Sequence, residues 1–319
     1  MEFSKAYDFK HGIASSFLKT KKVSQPVSFG SGSRASAVPM ATRMPASVNG
    51  IGIGEKINGE SLVRVLTRQP LRISASGLSS YFNIPKSDIT IEYAGPIKFM
   101  SAVTRGRPPF PGVSVGHYKI TAGTLGCFVT DKEGKVYILS NNHVLANTNE
   151  AFFGDPVLQK GKLDGGRRMH DRIARLSYLI KLKSNSPNRM DAAIAEVDKG
   201  LKLNYSIGNK KKVSGVCTPR NKQKVEKYGR TTGHTKGMIT TRNLDLEIDY
   251  DGRIMVFEDQ FEIKGANNKM FCDGGDSGSL ILEQTTAKAV GLLFAGNECG
   301  TTFATSIREV LDAFSVKIL

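Results

Sequence analysis

Within MFCDGGDSGSLIL, residues 270–282, a serine hydroxyl at Ser277 stands among glycines and aspartates, just ahead of three apolar residues. A hydroxyl attacks a carbonyl effectively only when a base takes its proton and donors hold the oxyanion that follows. The glycines of GGDSG free the backbone to aim N–H groups at one point beside the serine, and the donors expected there are those of Gly275 and Ser277 itself. Among five histidines, His143 has the setting a base needs, because SNNHVLA directly follows the β-prone run VYILS and places the imidazole at a strand end. His11 falls in a basic tail and His170 in the charged loop RRMHDR; His117 and His234 remain as alternatives without a comparable motif. A carboxylate is then required to fix the imidazole's tautomer. Asp191 opens MDAAIAEV, where a buried carboxylate would cost several kcal/mol unless a cation or N–H donor met it. Asp155, Asp164 and Asp171 sit in polar or charged stretches and read as loop or surface acids.

The order His143, Asp191, Ser277 separates this chain from other serine hydrolases that use the same three groups. With SNNHV, DAAIA and GDSGS in that order, the chain resembles the chymotrypsin-like (trypsin-fold) serine peptidases. The strings GHYKITAGTLGCFV, YILSNNHVLAN, DAAIAEV, KYGRTTGHTKGMI and GDSGSLIL are similar to those of disulfide-poor bacterial trypsin-like peptidases and, more loosely, to the plant narrow-leaf trypsin-like proteins. The resemblance implies two packed six-stranded antiparallel β-barrels with a C-terminal helix. It places His143 and Asp191 on the first barrel, GRTTG near the cleft of the second, and a serine endopeptidase activity between them. It implies no metal or organic cofactor and a protein or peptide as substrate. An esterase with the same triad, or a scaffold on the peptidase fold, are the alternatives.

The same resemblance puts Phe271 at the floor of the specificity pocket, Phe294, Ala295 and Gly296 along its walls, and Thr302 opposite. No acid stands at the floor, so small or apolar residues, rather than Lys or Arg, are expected before the cleaved bond; Glu298 lies at the rim. Val144 replaces the cysteine that commonly follows the family's histidine, which leaves Cys127 without that partner. Cys272 and Cys299 lie near positions that the family can bridge, although Cys272 is one position off. Asp276 matches the aspartate that receives a new N-terminal amine in zymogens. No Ile-Val-Gly-Gly sequence precedes the domain, so an internal Lys or Arg, or no partner at all, is expected instead.

The elements that must carry these residues are mostly short strands. TLGCFVT and KVYILS flank the turn DKEG, LDLEID and IMVFEDQFEI flank a second turn at Tyr250-Asp251-Gly252, and AVGLLFAG is a continuous apolar strand. Helical spacing appears at the end, where Ile307, Val310, Leu311 and Phe314 share a face, with Ser306 and Glu309 as a capping box. Residues 113–319 therefore read as the peptidase-like domain, and the proline-rich stretch within 99–112 as a linker. Residues 48–98 read as a small α/β module; Gly50, Gly52 and Gly54 there match neither phosphate-loop pattern and read as turn residues. Residues 1–47, with no acid between Asp8 and Glu55, read as a disordered basic tail.

The net charge of +16 is concentrated: residues 160–236 hold 20 Lys/Arg against 6 Asp/Glu. Nucleic acid or an anionic surface is thus a possible partner, but without interleaved aromatics the favoured reading is solvated loops. A homo-oligomer is possible. No apolar run is long enough for a membrane-spanning helix, and neither CxxC nor HExxH occurs to hold a metal. Four cysteines fit a reducing compartment, so a cytoplasmic location is expected, with organellar import from the serine-rich basic N-terminus as runner-up.

Overall fold

The computed structural model describes residues 1–17, 48–67, 75–95, 97–98, 107–208, 210–250, 252–297 and 299–319. Helix α1 (Phe3–Phe17) comes first, where a disordered tail is expected. Ala6, Lys10, Ile13 and Ala14 recur along one face and are all buried, so this stretch does own an apolar stripe. Lys10 disguises it in the sequence: its ammonium sits 2.7 Å from Asp245 and 3.5 Å from Asp259, both far along the chain. Residues 18–47 of the expected tail lie outside the described residues.

Strands β1 (Val48–Glu55) and β2 (Ser61–Thr67) form a hairpin; α2 (Ala75–Phe82) then crosses over to β3 (Ile89–Tyr93), which runs parallel to β2. The expected α/β content is present, but not as a separate module. β1 pairs antiparallel with a long strand of the second sheet, Gly50 opposite Leu246 and Ile53 opposite Arg242, so β1, β2 and β3 extend that sheet. A two-residue strand, β4 (Ile97–Lys98), follows.

The first sheet is built from β5 (Ser114–His117), β6 (Gly123–Thr124), β7 (Cys127–Thr130), β8 (Val136–Ser140), the one-turn helix α3 (Asn142–Leu145), β9 (Pro156–Leu158), β10 (Arg172–Leu179) and β11 (Ala193–Val197). It curls around Val115, Leu125, Phe128, Ile138, Val157, Ile173 and Ala193. The β7–β8 hairpin turns at Asp131, whose Oδ1 accepts from the N–H groups of Glu133 and Lys135. The second sheet contains β12 (Lys224–Gly229), β13 (Gly233–Tyr250), β14 (Arg253–Gly265), β15 (Leu280–Glu283), β16 (Ala289–Asn297) and β17 (Thr301–Ser306). Val225, Ile239, Phe261, Ile263, Phe271, Ile281, Val290 and Leu293 fill its interior. Helix α4 (Ile307–Phe314) and β18 (Lys317–Ile318) close the chain, β18 returning to pair with β7 of the first sheet. The fold is mainly β, with two curled sheets resembling the barrels of the trypsin fold and a helix near the C-terminus.

Between the sheets, Leu139, Met190, Ala192 and Ile194 meet Leu280, Leu282, Leu292, Ile307 and Val310, so α4 seals the seam with the apolar face expected of it. Its capping box does not form. The Ser306 side chain makes no cap bond, and Glu309 instead meets Arg189 at 3.4 Å.

The Lys10–Asp245 pair makes a measurable claim. Burial holds the Asp245 carboxyl above its ordinary value, even with Lys10 pulling it down. Lys10→Met should lower stability by about 3–5 kcal/mol at neutral pH, because the carboxylate is left buried and unpaired. Without Lys10 the folded-state pKa rises further, so the native state binds more protons than the unfolded chain. The deficit should then grow as pH rises through and above about 4. Denaturant unfolding across pH checks this, and adding Asp245→Asn should recover most of the loss.

Candidate active site

β8 ends at Ser140, and His143 follows in α3; Asp191 stands two residues ahead of β11, which is paired with β8. The pairing brings them together: His143 Nδ1 lies 2.5 Å from Asp191 Oδ2, and the His143 backbone N–H donates to Asp191 Oδ1 at 3.3 Å. Asn141 Nδ2 donates to the Asp191 carbonyl at 2.7 Å and fixes the approach from the other side. The carboxylate is fully buried, as its apolar sequence context requires, and it has the partners that burial demands.

Sequence reasoning missed a third donor to that carboxylate. Tyr250, at the tip of β13, donates its hydroxyl to Asp191 Oδ2 at 2.7 Å, and its ring meets the His143 ring edge-on at 6.1 Å. Burial, followed by the Asp191 charge, pushes the Tyr250 hydroxyl well above its ordinary value, so it remains a donor. Asp191 thus holds groups from both sheets. The only signal in the sequence was Tyr250's place in a turn triplet, which says nothing of its reach.

Ser277 precedes β15 of the second sheet and is 6% exposed. Its carbonyl accepts the Thr124 N–H at 2.8 Å, and its Oγ lies 3.4 Å from the Phe294 carbonyl. Gly278 has φ +93, and a Cβ there would come within 2.0 Å of Ser140 Oγ, three residues ahead of His143. The loop therefore lies directly against the end of β8, the strand that precedes the histidine. Gly275 has φ +83, its carbonyl accepts from Thr124 Oγ1 at 2.6 Å, and among the described residues neither its N–H nor that of Ser277 donates to a protein oxygen.

The loop's shape rests on Asp276. Its Oδ2 meets Lys227 Nζ at 2.8 Å, both side chains being fully buried, and also accepts from Thr232 Oγ1 at 2.6 Å and Asp273 N–H at 3.0 Å. Oδ1 accepts from the N–H groups of Thr231 at 2.8 Å and Thr232 at 3.3 Å. Lys227 is the internal cation that Asp276 asks for. Next to it, Arg230 is also fully buried and pairs with Asp164 at 2.7 Å through two nitrogens. Asp164 is thus no surface acid; although burial raises its carboxyl, the Arg230 bonds bring it below the ordinary value. Asp155 pairs with the fully buried His117 at 3.0 Å, so an aspartate beside a histidine is not by itself distinctive here. What sets His143 apart is that it follows Ser140, the residue against which Gly278 of the Ser277 loop is packed.

The residues expected to line the specificity pocket are all buried. Phe271, proposed as its floor, is fully buried in the second barrel, where the absence of a side chain at Gly237 leaves room for its ring. It is a core residue because the barrel interior offers it apolar neighbours on all sides. Phe294 and Ala295 are buried in a different cluster, with Phe257, Tyr250, Leu246, Ala94 and Phe303. Thr302 is buried with its hydroxyl 3.0 Å from Cys272 Sγ, and the Cβ position of Gly296 lies 2.8 Å from that same sulfur. Cys272 and Cys299 are not bridged; all four cysteines are free, and burial pushes the Cys272 thiol up to about 12. The rim residue Glu298 lies outside the described residues. Many basic residues of 160–236 are already paired, among them Arg172 with Asp198, Lys211 with Glu226, Arg220 with Glu283 and Lys222 with Glu55. No group of three or more metal-binding side chains exists among the described residues, nor is any helix there long and apolar enough to cross a membrane.

A model of the Nal1 C-terminal domain matches residues 196–308, a stretch that contains Ser277 but neither His143 nor Asp191. Among solved structures, the chain is similar to Thermobifida fusca Protease A, with 17% identity and a TM-score of 0.47 over 66% of this chain and 97% of that one. It is also similar to the Nocardiopsis protease NAPase, with 19% identity and a TM-score of 0.46 over 66% and 97%. A glutamic acid specific serine protease gives 16% identity and a TM-score of 0.47 over 66% and 100%. No curated protein matches the chain significantly. The case for chemistry therefore rests on the side chains themselves.

Lys227→Met should leave Asp276 buried without its cation and cost about 3–5 kcal/mol of stability. Hydrogen exchange should show the loss centred on residues 273–278. Equal protection in that loop would mean that the surrounding N–H groups hold Asp276 unaided.

Proposed function

We propose that the chain is a serine endopeptidase, in which Ser277 is the nucleophile, His143 the general base and acid, and Asp191 the group that orients it. The observation that supports this most directly is the buried Asp191 carboxylate, 2.5 Å from His143 Nδ1. With Nδ1–H given to Asp191, the Nε2 lone pair is the one left to take the Ser277 proton as Oγ adds to the substrate carbonyl. The oxyanion is held by the N–H groups of Gly275 and Ser277, each worth about 3–4 kcal/mol where such donors have been removed. Collapse breaks the C–N bond as His143 returns the proton to the leaving amine; water then repeats the sequence on the acyl-enzyme and releases the acid. Small or apolar side chains before the cleaved bond suit a site in which Cys272, Gly296 and Thr302 are in mutual contact.

A fluorophosphonate probe should label the parent chain and not Ser277→Ala, and that substitution should lower peptide hydrolysis by about 10⁴-fold or more. A folded parent that stays unlabelled would sink the enzyme reading in favour of a scaffold. Labelling with ester turnover but no peptide turnover would make the chain an esterase.

Tyr250→Phe removes one charged-acceptor hydrogen bond, a contribution of about 1.5–3 kcal/mol. Its kcat should drop by about ten- to a hundredfold with KM nearly unchanged, since the hydroxyl touches Asp191 and not the substrate.

A further inference from the structure

β16 has two edges. β17 runs along one of them, from Gly291 opposite Ser306 to Gly296 opposite Thr302. β15 runs along the other, but only as far as Leu280 opposite Leu292. Beyond that point the second edge passes the nucleophile: the Gly278 N–H donates to the Leu293 carbonyl at 2.8 Å, and Ser277 Oγ lies 3.4 Å from the Phe294 carbonyl. An extended peptide added as a strand here would lay its backbone beside Ser277.

That edge is already taken. β4 pairs with it antiparallel, Lys98 opposite Gly296 and Ile97 opposite Asn297. The segment is anchored where it leaves β3. Asn297 Nδ2 donates to the Ala94 carbonyl at 2.6 Å, and the N–H groups of Ala94 and Gly95 both donate to the Thr67 carbonyl, at 2.9 and 3.1 Å. Ala94 packs in the same cluster as Phe294 and Ala295, and Gly95, at φ +65, turns the chain from β3 into β4. The anchor is firm, and among the described residues the ladder itself is two residue pairs long.

We propose that β4 is an internal strap on the substrate-docking edge of β16, which an extended peptide must displace before Ser277 can act on it. The inference rests on the hydrolytic reading above. Because only strap-free molecules can dock a peptide strand, the apparent affinity is reduced by their fraction of the population. The strap thereby favours substrates that are extended over several residues, since these form a ladder longer than the two pairs described for the strap.

Ile97→Pro with Lys98→Pro in the full chain removes the backbone donors that the strap can offer to β16. KM for a peptide substrate should fall about tenfold or more, while fluorophosphonate labelling of Ser277, which needs no docked strand, should change by less than about twofold. An unchanged KM overturns the strap. Asn297→Ala, which releases the Ala94 anchor, should shift KM the same way if the proline variant does not fold, and no shift there overturns it equally. Failure of every chain to label counts against the hydrolytic reading alone. The strap is then judged by amide exchange at Gly296 and Asn297: faster exchange in the proline variant supports it, and equal exchange overturns it.

Discussion

The buried ion pair between Lys227 and Asp276 is the constraint on which the site depends. Two opposite charges have been taken wholly out of water, at 2.8 Å, one residue before Ser277. Such a pair is seldom a large net gain over apolar residues of the same size, because desolvation offsets the attraction. Its value is positional. Asp276 accepts from Thr231, Thr232 and Asp273 as well as Lys227, so its carboxylate is satisfied only when the Thr231–Thr232 turn and the Ser277 loop are in one arrangement. The Arg230–Asp164 pair repeats the device three residues on, tying the same turn to the first sheet. The loop is thus held by a lysine of β12, the strand paired with the β15 that follows it.

A second carboxylate joins the sheets. Asp191 belongs to the first, but Tyr250 comes from β13, the 18-residue strand whose other edge carries β1. The long β13–β14 ribbon therefore does two things at once: its tip braces the histidine's partner, and its flank binds the N-terminal strands. Tyr250, Phe257 and Phe294 form a line of rings, stacked at 6.0 Å and tilted at 4.9 Å, from Asp191 to the strand beside Ser277. Packing of this density transmits small displacements rather than absorbing them.

The pairing of His143 with Asp191 was readable because it depends on local strings. VYILS followed by SNNHV is a strand ending at a base, and a lone acid ahead of an Ala/Ile run has to be met by something. What could not be read was pairing over long distances. Lys10 looks like tail chemistry until Asp245 is placed beside it, and β1 looks like part of a free module until Leu246 is found opposite Gly50. The setting of Phe271 is long-range in the same way: counting back from Ser277 finds the position, but the room for its ring depends on Gly237, on another strand. Ser306 and Glu309 match a capping pattern, yet Arg189 competes for Glu309 from across the seam.

These long-range pairs also explain how a chain with four free cysteines holds so long a ribbon in place. Lys10 with Asp245, Arg64 with Glu262 and Lys227 with Asp276 each join segments distant in sequence, and each places a charge where an unmatched register would strand it in the core. Arg64 on β2 also meets Glu92 on β3, so the strand that leads into β4 is itself positioned by charge. The penalty for mispairing is electrostatic rather than covalent, and it acts only once water is excluded. Register in the second sheet is thus tied to the packing of α1 and the N-terminal strands against the ribbon, and β4 at the edge of β16 follows directly from those strands.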